Sequence, residues 1–240
     1  AGGTAALLDA YGTFSIGDQV NGQMGQFRPP FLWSSQIDED NFLLLSRPVN
    51  GALWSSRDNG VMFNGTFEQL GWYVAAQNGS DGAGDELALT GRVDFDALGP
   101  GIGLQEGAYG AGDESNLTVG LAFHDDGNLS DGSAIGFDAA YTLGAISAHA
   151  EMVDYDADFF GSEVTPWSVT AGYMVSPDEY EVAVRYEDLD DSADSTIITI
   201  GVNRYIQGHD AKWGVNYSSI DSDVSSAEAD IISVGLTISV

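Results

Sequence analysis

The sequence predicts an all-β chain folded as a transmembrane antiparallel β-barrel. Three observations lead there. Thirteen segments of about eight to ten residues alternate apolar and polar side chains, the period of a strand. Tight turns and longer acidic loops alternate between those segments, as they do at the two rims of a spanning barrel. The apolar face is also the purer of the two, and the opposite face is mostly Gly, Ala, Ser, Thr and Asn with a few charges. Alternation alone leaves a rival open, a soluble acidic β-sandwich with one buried face that binds calcium or carbohydrate.

The stretch 167–187 sets the pattern. Trp167, Val169, Ala171, Tyr173 and Val175 share one face, and Ser168, Thr170, Gly172 and Met174 the other. Ser176-Pro177-Asp178-Glu179 is a turn, with Pro presetting φ. Tyr180, Val182, Val184 and Tyr186 then alternate with Glu181, Ala183, Arg185 and Glu187. A four-residue turn sets Val175 against Tyr180 and Val169 against Tyr186, with aromatics at both ends of the apolar band.

In chain order, residues 8–16 and 20–27 are strands joined at Gly17-Asp18. Residues 28–57 form a long segment holding Pro29-Pro30, Asp38-Glu39-Asp40 and the apolar run Phe42 to Leu45. Strands follow at 60–67 and 70–76, a Gly/Asp/Ser loop at 78–85, and a strand at 86–95. Residues 96–115 are Gly-rich and irregular, breaking the rhythm, and are expected inside the barrel or against a neighbour. Further strands lie at 117–123, 135–143, 146–152, 167–175, 180–187, 197–205, 211–217 and 231–240, with acidic loops at 125–132, 153–163, 188–195 and around Asp221 and Asp223. No stretch reads as a helix.

Composition narrows the function. The 240 residues carry seven basic and 37 acidic side chains, a formal charge of -30, so nucleic acid is excluded as a partner. No cysteine is present, which removes disulfides and thiolate metal sites. No run of 18 apolar residues offers a membrane helix, and no signal peptide is visible at the start. His124, His149 and His209 lack metal-ligand spacing, and no G-x-S-x-G elbow or other catalytic motif occurs. The chain therefore reads as a non-enzyme without a cofactor. The acidic loops (Asp154, Asp156, Asp158; Asp188, Asp190, Asp191) offer oxygen ligands of the kind Ca²⁺ takes, although neither has EF-hand spacing.

Gly25-Gln26-Phe27-Arg28-Pro29-Pro30-Phe31, Ser46-Arg47-Pro48, Arg57-Asp58-Asn59-Gly60-Val61, Asn78-Gly79 and Gly91-Arg92-Val93-Asp94-Phe95 follow one another in order, preceded by Leu8-Asp9-Ala10-Tyr11. Over residues 8–95 this order resembles the phosphate-selective porin O/P family of outer-membrane barrels. The resemblance implies an outer-membrane porin for passive diffusion of small hydrophilic solutes and ions, with the lipid bilayer around it and a homotrimer as its assembly. It places Arg47, Arg57 and Arg92 on motif positions. Seven basic residues cannot line a pore with a cationic ladder, so phosphate selectivity is not carried over.

The expected architecture is one β-barrel domain over 1–240, with residues 28–57 folded into the lumen as a constriction. Asp38, Glu39 and Asp40 are expected to face Arg47 and Arg57 there, with Arg92 and Arg185 also lining the pore, since opposed charges at close range filter ions. Strands one and thirteen run the same way, so direct pairing would leave a parallel seam. Three further strands, implied by the resemblance, would give about sixteen; a spanning strand at 42–47 or 101–110 would close about fourteen without help.

Overall fold

The computed structural model describes residues 8–79, 87–127 and 132–239. Residues 1–7, 80–86, 128–131 and 240 lie outside the described residues, and with them most of the Gly/Asp/Ser loop and part of the acidic loop at 125–132. The strands are β1 Ala10–Ile16, β2 Val20–Phe27, β3 Asp58–Phe67, β4 Leu70–Gln77, β5 Ala88–Leu98, β6 Asn116–Asp126 and β7 Gly132–Leu143. They continue with β8 Ile146–Tyr155, β9 Trp167–Ser176, β10 Tyr180–Asp188, β11 Thr196–Gln207, β12 Ala211–Asp221 and β13 Ala229–Ile238. Each pairs antiparallel with its neighbour in sequence, giving one 13-stranded sheet in the order β1 to β13. Several strands outrun their expected ends. β6 takes in Asp125 and Asp126, and β8 takes in Asp154, because a strand rising past the apolar band into water has no reason to stop at the first charge.

Three short helices stand where none was expected: α1 Trp33–Gln36, α2 Val49–Leu53 and α3 Ala157–Phe160. At four or five residues they are too short to show a 3.6-residue period. In α3 the cap is an acidic-loop residue, since Asp156 accepts the N–H groups of Asp158 and Phe159. Gly161, at φ +81°, ends it in the left-handed region.

The β9–β10 hairpin corrects the expected pairing at one end. Val169 does face Tyr186, but Tyr180 pairs with Ser176 and Glu181 with Met174, so Val175 is the extra residue of a bulge. Asp178 sits at φ +56°, giving a three-residue loop with a left-handed position.

The apolar faces point outward and stay exposed. Val175, Val182 and Val184 on the central hairpin are 59%, 41% and 44% exposed, and Leu89, Phe123, Ile135 and Ile200 are similarly bare. A soluble sandwich buries that face. Here the polar face is the buried one, with Arg185 and Glu181 at 0%. One sheet rather than two, with its apolar side outward, removes the sandwich reading.

Residues 28–57 lie against the inner face. Phe31, Leu32, Ile37, Phe42, Leu43 and Leu44 are all buried there. The wall makes room for them with glycine: a Cβ on Gly172 would meet Leu43, one on Gly201 would meet Leu44, and one on Gly235 would meet Leu45. Residues 42–47 and 101–110 form no strand, so neither supplies a fourteenth. Among the described residues no ladder joins β1 to β13, and these are the two edges of the sheet.

Candidate functional site

The inner face is assembled by strand alternation. Every second residue of β5 to β12 points inward, and those positions carry Thr90, Arg92, His124, Asp138, His149, Glu151, Thr170, Glu181, Arg185, Thr199, Asn203 and Lys212, all buried. Burying so many polar groups requires partners. The long segment supplies them through its backbone.

That segment crosses from the long-loop rim toward the short-turn rim and returns. On the way in, Trp33 N–H donates to Asp138 Oδ2 at 3.0 Å and Ser34 Oγ donates to Glu151 Oε2 at 2.5 Å. At the far end a 3-10 turn, Glu39–Asn41, reverses the chain. There Lys212 Nζ and Asn203 Nδ2 donate to the carbonyls of Phe42 and Leu43. Burial pushes His209, at the β11–β12 turn, down to about 4. Its neutral Nδ1 can therefore accept from Lys212 Nζ at 3.0 Å. On the way back Arg185 donates to Ser46 O at 2.8 Å, and Val49 N–H donates to Glu187 at 2.7 Å.

The Gly-rich segment between β5 and β6 enters from the short-turn rim and meets it. Glu106 N–H donates to Asn41 O at 3.0 Å, and Glu106 Oε2 accepts from Leu43 N–H at 3.0 Å. Ala108 N–H donates to Glu181 at 2.7 Å. This part of 96–115 packs inside the sheet's curve.

The charges named from the sequence fall into three groups. Glu39 pairs with Arg47 at 3.2 Å, while Arg47 also donates to the carbonyls of Ser34, Ser35 and Ile37. Asp38 pairs at 3.2 Å with Arg28, a motif residue that was not among the expected pore-lining side chains. The Asp40 carbonyl lies 3.1 Å from His209 Nδ1. Arg57 is bound to Asp9, just before β1, at 3.1 Å, not to the 38–40 cluster. Arg28 and Arg47 nonetheless meet at one carbonyl, since both donate to Ile37 O, and burial, then Arg57 and Arg47, lower Arg28 from its ordinary value. Asp38 and Glu39 are mostly exposed while their arginines are buried. The result is a row of guanidiniums seated in the segment's backbone with carboxylates on the open side.

Arg92 and Arg185 belong to the wall. Arg92 meets Asp138 through both Nη atoms, at 2.7 and 2.9 Å, meets Asp94 at 2.7 Å, and donates to Phe31 O at 2.7 Å. Arg185 lies 3.6 Å from Glu106 and donates to Thr170 at 3.0 Å. Asp138, Glu106, Glu151 and Glu181 were missed because 37 carboxylates give no single one prominence. Inward parity within a strand was the signal that could have found three of them.

The acidic loops use their carboxylates locally. Asp156 accepts from Ser133 N–H and Oγ at 2.7 and 2.8 Å, and these bonds hold its carboxyl below the usual range. Asp190 accepts from Thr165 N–H, and Asp191 from the N–H groups of Ala193 and Ser195. Among the described residues no group of three or more acidic or histidine side chains is disposed to hold a metal ion.

No protein-family model matches the chain. An uncharacterized protein of Aquifex aeolicus is 38% identical over 89 residues, which is 33% of this chain and 22% of that protein. The chain thus spans about a fifth of the length of that relative. Among solved structures, the loop L8 deletion mutant of OmpT, an outer membrane protein of Vibrio cholerae, superposes at a TM-score of 0.58 with 13% identity, covering 91% of this chain and 75% of that one. OccK10 (OpdN) of Pseudomonas aeruginosa superposes at 0.51 with 12% identity, covering 93% and 81%. At these identities the likeness is one of fold: this chain is built like an outer-membrane β-barrel.

Proposed function

We propose that the chain is a porin-type channel of the bacterial outer membrane that passes small hydrophilic solutes and ions by passive diffusion. One observation carries the reading. The sheet turns its apolar face outward and its charged face inward, and residues 28–57 pack against that inner face. Outward apolar residues suit lipid, and an inward polar face suits water. Residues Asp38, Glu39, Asp40, Arg47, Arg57, Arg92 and Arg185, joined by Arg28, would line or brace the constriction.

Phosphate selectivity, the finer property of the porin O/P resemblance, finds no support in the charges. Each of the six arginines has a carboxylate oxygen within 4 Å. Lys212 is spent on a carbonyl and His209. No cationic ladder is left over, while the net charge is -30. Such a field concentrates cations at the mouth. The expected result is a weak cation preference, read as the reversal potential in a salt gradient across a planar bilayer. A clear anion preference would mean that the guanidinium row at Arg28, Arg47 and Arg57 outweighs the acidic rims.

The edges of the sheet add to this reading. β1 and β13 run in the same direction, and unpaired N–H and C=O groups facing lipid cost several kcal/mol each. An odd number of further strands, from another stretch of polypeptide, would complete the ring, and the resemblance suggests that three rings associate.

A further inference from the structure

A cavity of about 370 Å³ opens at the long-loop rim, away from the guanidinium row. Its walls are mostly apolar: Leu53 of α2, Phe160 of α3, then Val164, Pro166 and Leu189. Leu53 and Phe160 are each about half exposed although both are large and apolar. Four polar side chains join them, Asn50, Ser162, Asp191 and Ser192, of which Asn50 and Asp191 bear on the ligand. Asn50 is only 4% exposed. Its Nδ2 donates to Pro166 O at 3.0 Å, which fixes which end of the amide is which. Its Oδ1 is buried and has no partner. A buried acceptor left unpaired costs about 1–3 kcal/mol, so it calls for a donor. Asp191 is held by the N–H groups of Ala193 and Ser195, both on Oδ1. No Lys or Arg lines the cavity.

We propose that this cavity binds a small organic ammonium: an apolar ring or short chain against Leu53, Phe160 and Leu189, with its N–H donors turned to Asn50 Oδ1 and the Asp191 carboxylate. The volume falls in the range of small-molecule sites, which are typically apolar with a few convergent polar groups. The two polar side chains singled out both offer acceptors and neither offers a cation, so a carboxylate or phosphate ligand would find no charged partner. The site would hold an amphiphilic amine at the outer mouth, whether or not the barrel conducts.

The test is calorimetric titration of the protein in lipid nanodiscs with 2-phenylethylamine, the neutral 2-phenylethanol and the anionic 3-phenylpropionate. The amine is expected to bind roughly tenfold tighter than the alcohol, a typical worth for a charge-assisted hydrogen bond, and the acid not to bind. Asn50→Leu should weaken amine and alcohol together. Asp191→Asn keeps Oδ1 for the loop, and should reduce the amine to the alcohol's affinity. Ser192→Trp, on the exposed loop at the cavity wall, should abolish both. Equal binding of all three probes, no saturable binding of the amine, or full binding by Ser192→Trp would each overturn the site. If Asn50→Leu fails to fold, the two exposed-loop variants still decide. None of these readings depends on conductance, so the proposal and the channel reading fail separately.

Discussion

Replacing residues 29–56 with a short Gly/Ser turn is expected to raise single-channel conductance severalfold and to flatten what ion preference there is. The connection is feasible because Phe27 and Asp58 face each other at the ends of β2 and β3, so two antiparallel strands need only a tight turn. What leaves is the bulk inside the sheet: Phe31, Leu32, Ile37 and Phe42 through Leu44. Arg92, Arg185 and Lys212 lose the carbonyls of Phe31, Ser46 and Phe42. Water replaces those carbonyls once the lumen is wide, so the wall itself should survive. A folded deletion variant with unchanged conductance would show that ions never pass beside this segment.

The second large effect concerns stability. Arg92→Ala is expected to cost about 3–5 kcal/mol, because removing one side of a buried ion pair strands the other. Here it strands two carboxylates, Asp138 and Asp94, and releases Phe31 O as well. Arg204 gives the contrast: its side chain is 45% exposed and lies 3.9 Å from Glu179. Arg204→Ala should stay within about 0.5 kcal/mol, since exposed pairs contribute little. Urea unfolding of the refolded barrel, followed by its gel mobility shift, compares the two. A loss below about 1 kcal/mol for Arg92→Ala would mean that water reaches the pair and that the segment is not anchored there.

How far the sequence could be read follows from the range of each interaction. Strands with a two-residue period are local facts, and all thirteen were legible in place. The apolar run Phe42 to Leu45 stood out in a polar segment, but whether it spans as a strand or packs inside, as Phe42 to Leu44 do, is not a local property. Val175 was mispaired because a bulge depends on the backbone of the turn, and Asp178 gave no clear sign of its left-handed φ. The ion pairs were the least accessible. Arg92 and Asp138 lie 46 residues apart, and Arg57 and Asp9 lie 48 apart. Such partners are set by strand register and barrel curvature together, which no local pattern encodes. Scarcity pointed to the arginines, and abundance hid their carboxylates.

The proposed channel requires a ring of strands, completed at β1 and β13 by further polypeptide, with its apolar face in lipid. Amide hydrogen exchange on the protein reconstituted in bilayers tests it most directly, because exchange reports which backbone N–H groups are hydrogen-bonded. The expected result is slow exchange across every strand, with peptides from β1 and β13 as protected as those from β7 to β10, since partner strands close the seam. Protected central strands with rapid exchange along both β1 and β13 would contradict it, and would describe an open sheet in water rather than a ring in a membrane.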